Sequence, residues 1–420
     1  MSGAMVMCKK YFITALPVLM FLLYGCSGIL SQHEPLEVKA DIIHDKVLTI
    51  DTHVDTPMRL SRPEFNLGEH HDPRKGGGKV DLPRMKEGGL DAVFFAVFVS
   101  QRARTPEGNN EAKERALRTF DAIHEAIKTH SNLAELALIP DDAYRIEKVG
   151  KRAIYIGVEN GYPVGNDISL IKKYYDLGAR YITLCHTRNN DICDSSTDKP
   201  EHYGLSEFGK KMVAEMNRLG MIVDVSHISD DSFYDVLKVS KAPVIASHSC
   251  ARALCDHPRN LDDEMLKKLA ENGGVIQMCM LSSYVKKPVP NPERDAAVKA
   301  LRQKYGNFSE LSEEDERKAR EERRALDEKY PRRDANVSDA VDHIDHIVRI
   351  VGIDHVGIGT DFDGGGGLDG CYDVSEIGNI TRELVRRGYT EKQIRKIWGE
   401  NFMRVFRDVM KVAHNVQSAP

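Results

Sequence analysis

Short apolar runs alternate with longer amphipathic segments along the chain from about residue 48 onward. Eight of these runs are bounded by glycine, proline or polar residues, which is typical of buried strands. In chain order they read VLTID, DAVFFAVF, AIYIGVE, YITLCH, MIVDVSH, PVIASHS, VIQMCM and HVGIGTD. Eight strands separated by helical segments indicate an α/β protein with a parallel sheet, and eight is the strand count of a TIM-like (β/α)8 barrel.

The segments between the runs agree with this alternation. NNEAKERALRTFDAIHEAIKTH (109–130) and SEFGKKMVAEMNRLG (206–220) both have helical patterns, and Gly220 is typical of a helix stop. The stretch from Lys286 to Asp334 differs, because it is dense in charge and poor in apolar residues. It predicts a solvent-facing helical insertion at about 286–335, between the seventh and eighth strands. A lid or a contact between subunits is the alternative interpretation.

Polar residues occupy the C-terminal ends of most predicted strands. They are His53, Asp55, Glu159, His186, His227, His248 and Asp361. In a barrel all of these strand ends meet on one face, where active sites form. A doubly wound open sheet, the alternative, would gather residues mainly at one switch point. The number of contributing strands therefore favours the barrel.

Five of these residues form a candidate set of metal ligands. His53 and Asp55 are two positions apart, so on an extended strand both side chains can reach one ion. His227 and His248 each end a strand in a Ser-His pair, which suggests a second, nitrogen-rich position. Glu159 can bridge two cations and offset their repulsion. Each residue alone has an ordinary explanation, as a turn residue, a helix cap or a packed histidine, but together they indicate a binuclear site.

Neutral imidazole and carboxylate ligands suit two zinc ions per chain, and manganese, cobalt or iron would also fit. Two cations that share a water lower its pKa and so produce a hydroxide nucleophile. His186 could donate a hydrogen bond to a developing oxyanion, and Arg259, if it is not a surface residue, could clamp a carboxylate. Asp361 is the candidate proton shuttle, and Asp363, two residues farther along the loop, is the weaker choice.

Composition and charge restrict the possible partners. The 420-residue chain is 41% hydrophobic and 29% charged, as soluble globular proteins are. Its net charge of -5 argues against nucleic acid as the main partner. Six of the eight cysteines follow the N-terminal segment, and no CxxC motif is present, which argues against a cysteine zinc site. Export would permit disulfides, but spacing cannot assign pairs.

The N-terminal segment differs from the rest of the chain. Two lysines precede the short apolar run YFITALPVLMFLLYGC, which ends at Cys26 and is typical of an export signal. LYGC resembles the lipobox of bacterial lipoproteins, in which the cysteine is lipidated; simple secretion and a retained anchor are the alternatives. We therefore expect a signal peptide at 1–26, a tether at 27–44, a catalytic domain at 45–414 and a tail at 415–420. The predicted location is the bacterial cell envelope, with a lipid anchor in the membrane.

Seven motifs, in this order, resemble those of the membrane (renal) dipeptidase family of binuclear zinc peptidases. They are IDTHVDTP, IGVENG, YITLCHTRNND, IVDVSH, ASHSCARALCDHPRN, GIGTDFDG and IWGENFMRVF. The resemblance spans about residues 45–412 and implies a (β/α)8-type barrel of the metal-dependent hydrolases. It implies that His53 and Asp55 bind one zinc ion, that His227 and His248 bind the second, and that Glu159 bridges both.

The resemblance also implies an activity and its substrate-binding residues. His186 would contact the substrate and support the tetrahedral intermediate, Arg259 would hold the free carboxylate of a dipeptide, and Asp361 would shuttle the proton. The expected reaction is hydrolysis of dipeptides by a metal-bridging hydroxide, with tolerance of D-residues at the C-terminal position. A homodimer is possible on the same grounds.

The chain also departs from the animal members of that family. Those proteins attach through a C-terminal glycolipid signal with a hydrophobic tail, whereas AHNVQSAP is short and polar. The charged insertion is longer than expected and lies near the substrate side, so detailed specificity is open. Two other functions remain: another reaction on the same metals, by a lactonase, deacylase or deaminase, and a non-catalytic lipoprotein that binds peptides or acts as an adhesin.

Overall fold

The computed structural model describes residues 35–306, 313–330 and 334–418, and nine strands in these ranges form one parallel sheet. The strands are β1 (Ile50–Val54), β2 (Ala92–Phe98), β3 (Ala134–Leu136), β4 (Arg152–Glu159), β5 (Ala179–Thr183), β6 (Ile222–Asp224), β7 (Ile245–Ser249), β8 (Val275–Met278) and β9 (Val356–Ile358). Eight of them follow one another around the sheet in chain order, which confirms the predicted (β/α)8 barrel. The ninth, β3, was not predicted; it pairs only with the first residues of β4.

Helices alternate with the strands. They are α1 (Leu36–Lys46), α2 (Leu82–Glu87), α3 (Pro106–Thr129), α4 (Pro140–Glu147), α5 (Ser169–Asp176), α6 (Glu207–Leu219), α7 (Asp230–Val239), α8 (Asp263–Glu271), α9 (Ser282–Val285), α10 (Pro292–Tyr305), α11 (Glu313–Lys329), α12 (Val337–Val351), α13 (Gly378–Arg386), α14 (Glu391–Arg395) and α15 (Asn401–Ser418). The two helices predicted above are α3 and α6. Helix α6 ends where Gly220 adopts a left-handed conformation, as its sequence predicts.

A buried aspartate joins the two ends of the sheet, β1 and β9. The Asp51 carboxylate accepts hydrogen bonds from the Thr360 backbone N–H at 2.9 Å and from its hydroxyl at 2.5 Å. It also accepts the backbone N–H of His53 at 3.2 Å, and the backbone N–H of Asp361 donates to the His53 carbonyl at 3.0 Å. These contacts close the barrel directly beneath two of the predicted site residues.

The C-terminal helix α15 contributes to the lower half of the barrel core. Phe402 and Phe406 of α15 belong to a buried cluster with residues from the first halves of the strands. The Phe402 ring meets Phe94 of β2 edge-on at 5.1 Å, and Phe406 meets Tyr155 of β4 at 6.0 Å. The motif IWGENFMRVF therefore serves packing, opposite the face where the strands end.

Truncating Phe402 to alanine should lower the free energy of unfolding by about 3–5 kcal/mol, the usual cost of a large core cavity. Phe402 is buried and packs against Phe94, so its truncation removes these contacts and leaves a cavity. Chemical denaturation monitored by circular dichroism would measure the change. Lys411→Ala, at an exposed position of the same helix, is the control and should stay within about 0.5 kcal/mol. A loss below about 1 kcal/mol for Phe402→Ala would contradict this role for α15.

The charged segment at about 286–335 contains α10 and α11, between β8 and β9. Ion pairs connect the two helices to each other: Lys304 to Glu322 and Arg294 to Asp327, both at 2.5 Å. Arg294 is buried and also donates to the Tyr330 carbonyl at 2.6 Å. The insertion is thus held together by side-chain pairs and has little apolar core.

Two of the expected boundaries need correction. The tether predicted for 27–44 is too long, because α1 begins at Leu36 and buries Ile43 and His44. The His44 ring lies 2.7 Å from the Thr381 hydroxyl and 2.8 Å from the Gly88 carbonyl, which fixes α1 to the domain. The tail predicted for 415–420 is helical as far as Ser418. The signal peptide and Cys26 lie outside the described residues, so export and lipid attachment stay predictions.

The six cysteines that follow the N-terminal segment are buried and free. Among the described residues, none of the helices has the length and apolar character needed to cross a lipid bilayer.

Candidate metal centre

The strand ends deliver the predicted site residues to one cavity of about 240 Å³. Its lining includes Asp55, Glu159, His186, His227, His248, Arg259 and Asp361. The remaining candidate, His53, lies in the same cluster with its Nε2 atom 3.4 Å from a Glu159 oxygen. The structure therefore brings together all eight residues that the sequence singled out.

The Glu159 carboxylate is the centre of the cluster. Its Oε2 atom faces His53, while its Oε1 atom lies 3.1 Å from His227 Nε2 and 3.7 Å from both His186 Nε2 and His248 Nε2. The two oxygens of one carboxylate thus point to two separate groups of ligands. This arrangement fits a bridging ligand between two cations.

Several buried polar atoms in the cluster have ligand geometry and lack ordinary partners. His53 Nε2 and Asp55 Oδ1 have no hydrogen-bond partner, although both are buried. His227 Nε2 and His248 Nε2 are 2.8 Å apart and point at each other. Three groups of residues each have ligand atoms within 4.8 Å of one another. They are His53 with Glu159 and His248, Glu159 with His186 and His227, and His53 with Asp55 and Asp361. Divalent cations would satisfy these atoms, so the donor set fits a metal centre.

Apart from His53, whose pKa the facing Tyr181 and Glu159 hold well above the usual value against the effect of burial, the titration behaviour of the cluster is consistent with a metal centre. Burial, with positive charge at Arg259 and neighbouring histidines, holds the pKa of His227 and His248 well below the usual value, so both imidazoles are neutral. Burial opposes ionisation of Glu159, yet the facing imidazoles hold its pKa well below the usual range. Burial and the nearby carboxylates raise the pKa of Asp55 to about 6 and that of Asp361 well above the usual value. Neutral imidazole and a permanent bridging anion are the forms that metals bind.

Backbone strain is concentrated at this face. The φ angles of Asn160, His227, Asp361 and Asp363 are 73°, 73°, 62° and 68°. Non-glycine residues adopt such values rarely, and structures keep them chiefly at functional sites. Asn160, directly after Glu159, is fixed by its side-chain amide, which donates to the Val99 carbonyl at 2.9 Å.

Asp361 and Asp363 have different surroundings. Asp361 lines the cavity near Asp55 and His53. Asp363 accepts hydrogen bonds from Arg59 Nε at 2.9 Å and from the Thr56 hydroxyl at 2.8 Å and is not among the residues that line the cavity. Asp363 therefore anchors the loop, and the proton-transfer role of Asp361 stays a prediction.

Arg259 is a buried cation at the cavity wall. It is 3% exposed, and no carboxylate in the described parts of the chain lies within 4.0 Å of its guanidinium. Its Nη2 atom donates to the His248 carbonyl at 3.1 Å, its Nη1 atom donates to the Ser249 hydroxyl at 3.3 Å, and its Nε atom has no partner. A buried charge without a counterion is costly, so the site is built to receive an anion.

His186 lies at the cavity mouth and is the more exposed of the imidazoles. Its ring contacts Phe98 at 4.9 Å and His227 at 4.3 Å between centroids. Burial lowers the pKa of His186, which leaves the ring neutral with one N–H to donate. The Ser195 hydroxyl donates to the His186 carbonyl at 2.5 Å and holds its loop.

The sequence reasoning missed the apolar wall of the cavity. Met58, Phe98, Leu281 and Tyr284 line it together with the polar residues. Phe98 is the last residue of β2, and this strand end has no polar residue that would indicate a functional position. The other three are in loops or a short helix, where apolar side chains have no distinctive sequence pattern.

A larger cavity of about 380 Å³ lies elsewhere and is mainly acidic. Three of its charged residues already have partners: Asp194 accepts three backbone N–H groups, and Arg252 forms a double hydrogen bond with Asp230. We therefore place the chemistry in the smaller cavity, where, among the described residues, the buried cation has no counterion and His53 Nε2 and Asp55 Oδ1 have no hydrogen-bond partner.

Comparisons with known proteins agree with this geometry. The family model for membrane dipeptidase (peptidase family M19) matches residues 37–420. The chain is 34% identical to dipeptidase tcpJ of Claviceps purpurea over 83% of this chain and 74% of that protein. It is 31% identical to dipeptidase ataJ of Aspergillus terreus over 92% and 90% of the two chains. The crystal structure of the probable dipeptidase PvdM from Pseudomonas aeruginosa superposes with a TM-score of 0.77 at 32% identity, over 90% of this chain and 99% of that one. The chain belongs to the membrane dipeptidase family, peptidase family M19, and is a metallopeptidase of the dipeptidase class.

Proposed function

We propose that the protein is a binuclear zinc dipeptidase that hydrolyses dipeptides with a free C-terminal carboxylate. His53 and Asp55 would hold one zinc ion, His227 and His248 the other, and Glu159 both. When bound, such ions supply Lewis-acid polarisation of the peptide carbonyl and lower the pKa of a shared water. The unpartnered ligand atoms and the two-sided Glu159 carboxylate support this assignment.

The observation that carries the substrate class is the buried guanidinium of Arg259. It faces the cavity without a protein carboxylate, so the charge is compensated when a substrate carboxylate enters. The cavity is small, about 240 Å³, and Arg259 and Glu159 line the same space. When the C-terminal carboxylate of a peptide binds Arg259, the peptide bond nearest to that carboxylate therefore lies at the metal centre. The small cavity then limits the substrate to a short peptide.

Two side chains of the cavity would act on the reacting atoms. The neutral His186 donates its N–H to the carbonyl oxygen as negative charge develops there, and the bond strengthens in the transition state. Asp361 takes the proton of the attacking water and passes it to the leaving amine, since it lines the cavity beside Asp55 and His53.

Tolerance of a D-residue at the C-terminal position belongs to the same proposal. Gly364 lines the cavity, and a β-carbon at this position would lie 2.1 Å from Asp55 Oδ2 and 2.2 Å from Asp361 Oδ1. The absence of a side chain there lets the loop approach the site closely. The glycine lets the loop backbone lie directly against these two carboxylates, and the proposed tolerance itself rests on the family resemblance.

A dipeptide panel on metal-stripped and zinc-reloaded protein tests the proposal. We expect reloaded protein to hydrolyse L-Ala-L-Ala and L-Ala-D-Ala, the stripped protein to be inactive, and two zinc ions per chain by elemental analysis. C-terminally amidated L-Ala-L-Ala should be a poor substrate, because it lacks the charge that Arg259 would bind. Zinc-dependent hydrolysis of a lactone or an acyl amide without dipeptide cleavage would contradict the proposal, as would a metal content near zero.

A further inference from the structure

A buried hydrogen bond joins the Tyr181 hydroxyl of β5 to the His53 ring. The Tyr181 hydroxyl lies 3.2 Å from the Thr52 carbonyl and 2.8 Å from His53 Nδ1. A carbonyl only accepts, so the hydroxyl donates its proton to Thr52 and accepts one from His53 Nδ1–H. The lone pair of the neutral imidazole is then on Nε2, the atom that faces Asp55 and Glu159.

Ser247 of β7 does the same for His248. Its hydroxyl lies 2.6 Å from Asp224 Oδ2 and 2.8 Å from His248 Nδ1. The Asp224 carboxylate also accepts the Ser226 and Ser247 backbone N–H groups and the Thr183 hydroxyl, so it is surrounded by donors. Ser247 therefore donates to Asp224 and accepts from His248 Nδ1–H, which leaves the His248 lone pair on Nε2.

The surroundings make both arrangements hard to replace. Tyr181, Asp224 and Ser247 are each 0% exposed, so water cannot easily substitute for a missing hydroxyl. The remaining histidine, His227, has no partner at Nδ1 among the described residues. Each of the two ligand groups thus contains one histidine whose tautomer the protein determines beforehand.

We propose that Tyr181, and Ser247 with Asp224, are positioning residues that hold His53 and His248 in the tautomer that binds metal. Tyr181 acts on the ion of His53 and Asp55, and Ser247 acts on the ion of His227 and His248. The inference rests on the proposed two-metal function. None of the three residues lines the cavity, so they affect metal affinity far more than the reaction at full occupancy.

Zinc titration of full-length protein with a competing chromophoric chelator tests this. In Tyr181→Phe one of the two ions should bind about 10–100-fold more weakly, and in Ser247→Ala the other ion should be weakened by the same factor. This is the usual effect of removing the hydrogen-bond partner of a histidine ligand. At saturating zinc, kcat for L-Ala-L-Ala should stay within about threefold of wild type, because neither hydroxyl reaches the substrate.

Double variants assign each effect to one ion. In a His53→Ala background, which retains one ion, Tyr181→Phe should have no further effect, whereas Ser247→Ala should weaken the remaining ion about 10–100-fold. Equal effects of both substitutions in that background would overturn the assignment.

Tyr155→Phe is the matched control. Tyr155 is a buried tyrosine in the same core cluster as Tyr181, but its hydroxyl donates to the Ile139 carbonyl at 2.9 Å, far from the metal ligands. Its zinc affinity should equal that of wild type. Wild-type affinity for both ions in Tyr181→Phe, or an equal loss in Tyr155→Phe, would overturn the inference. Wild-type protein that binds no zinc would instead overturn the proposed function.

Discussion

Replacing Glu159 by glutamine should abolish dipeptide hydrolysis and remove most of the bound metal. The amide keeps the volume of the carboxylate but loses the charge that faces His53 on one side and His227 on the other. Without a shared anion, two cations a few ångströms apart repel each other. We expect kcat/KM to fall by at least about a thousandfold, since losing one electrostatic group at a reaction centre reaches that size. Zinc content should fall below one ion per chain.

Steady-state kinetics and elemental analysis on the same preparation would measure both effects. Glu207→Gln, a change of the same chemistry at an exposed position of α6, is the control and should leave both unchanged. A Glu159→Gln protein that keeps two zinc ions and full activity would show that the carboxylate bridges nothing.

Replacing Arg259 by lysine should impair the recognition of dipeptides and spare substrates that lack a terminal carboxylate. A lysine ammonium is a point charge that cannot form the paired hydrogen bonds of a guanidinium. Truncating one partner of a buried charge pair typically costs 2–5 kcal/mol, so kcat/KM for L-Ala-L-Ala should fall by about 10²–10³-fold. Slow cleavage of the amidated dipeptide should change little.

Arg252→Lys is the matched control for that experiment. Arg252 is in the same loop region, but its guanidinium pairs with Asp230 and lines the other cavity. Its replacement should leave the kinetics of both substrates unchanged. If Arg259→Lys lowered kcat/KM equally for the free and the amidated dipeptide, Arg259 would support the structure of the site and would not bind the substrate carboxylate.

The sequence was sufficient to predict the barrel and to select the eight residues of the centre. Polar residues such as His53 and Glu159 follow strongly apolar strands, and the barrel topology forces strand ends together. Tyr181, Asp224 and Ser247 were not predicted, because each lies inside a strand or at its end, where a buried polar group has no local signature. Tyr181 meets His53 across the barrel interior, from β5 to β1, and Asp224 meets Ser247 between the neighbouring strands β6 and β7. A single sequence does not specify such contacts between distant segments.

Boundaries and packing were harder to predict for a related reason. Helix α1 is weakly amphipathic and follows a segment expected to be a tether, so its attachment through His44 depends on contacts with distant parts of the chain. The short strand β3 is Ala-Glu-Leu, and its central charge keeps it from standing out as an apolar run like those that contain β6 and β9.

The position of α15 has a consequence for the order of folding. Its aromatic rings pack against strands that begin more than 300 positions earlier in the chain, at Ile50 and Ala92. During synthesis those strands leave the ribosome long before Phe402 does. The lower half of the core is therefore incomplete until residues up to about Val409 are available. A nascent chain of this protein should expose apolar strand residues for most of its synthesis, and chaperones that bind such surface are expected to engage it before release.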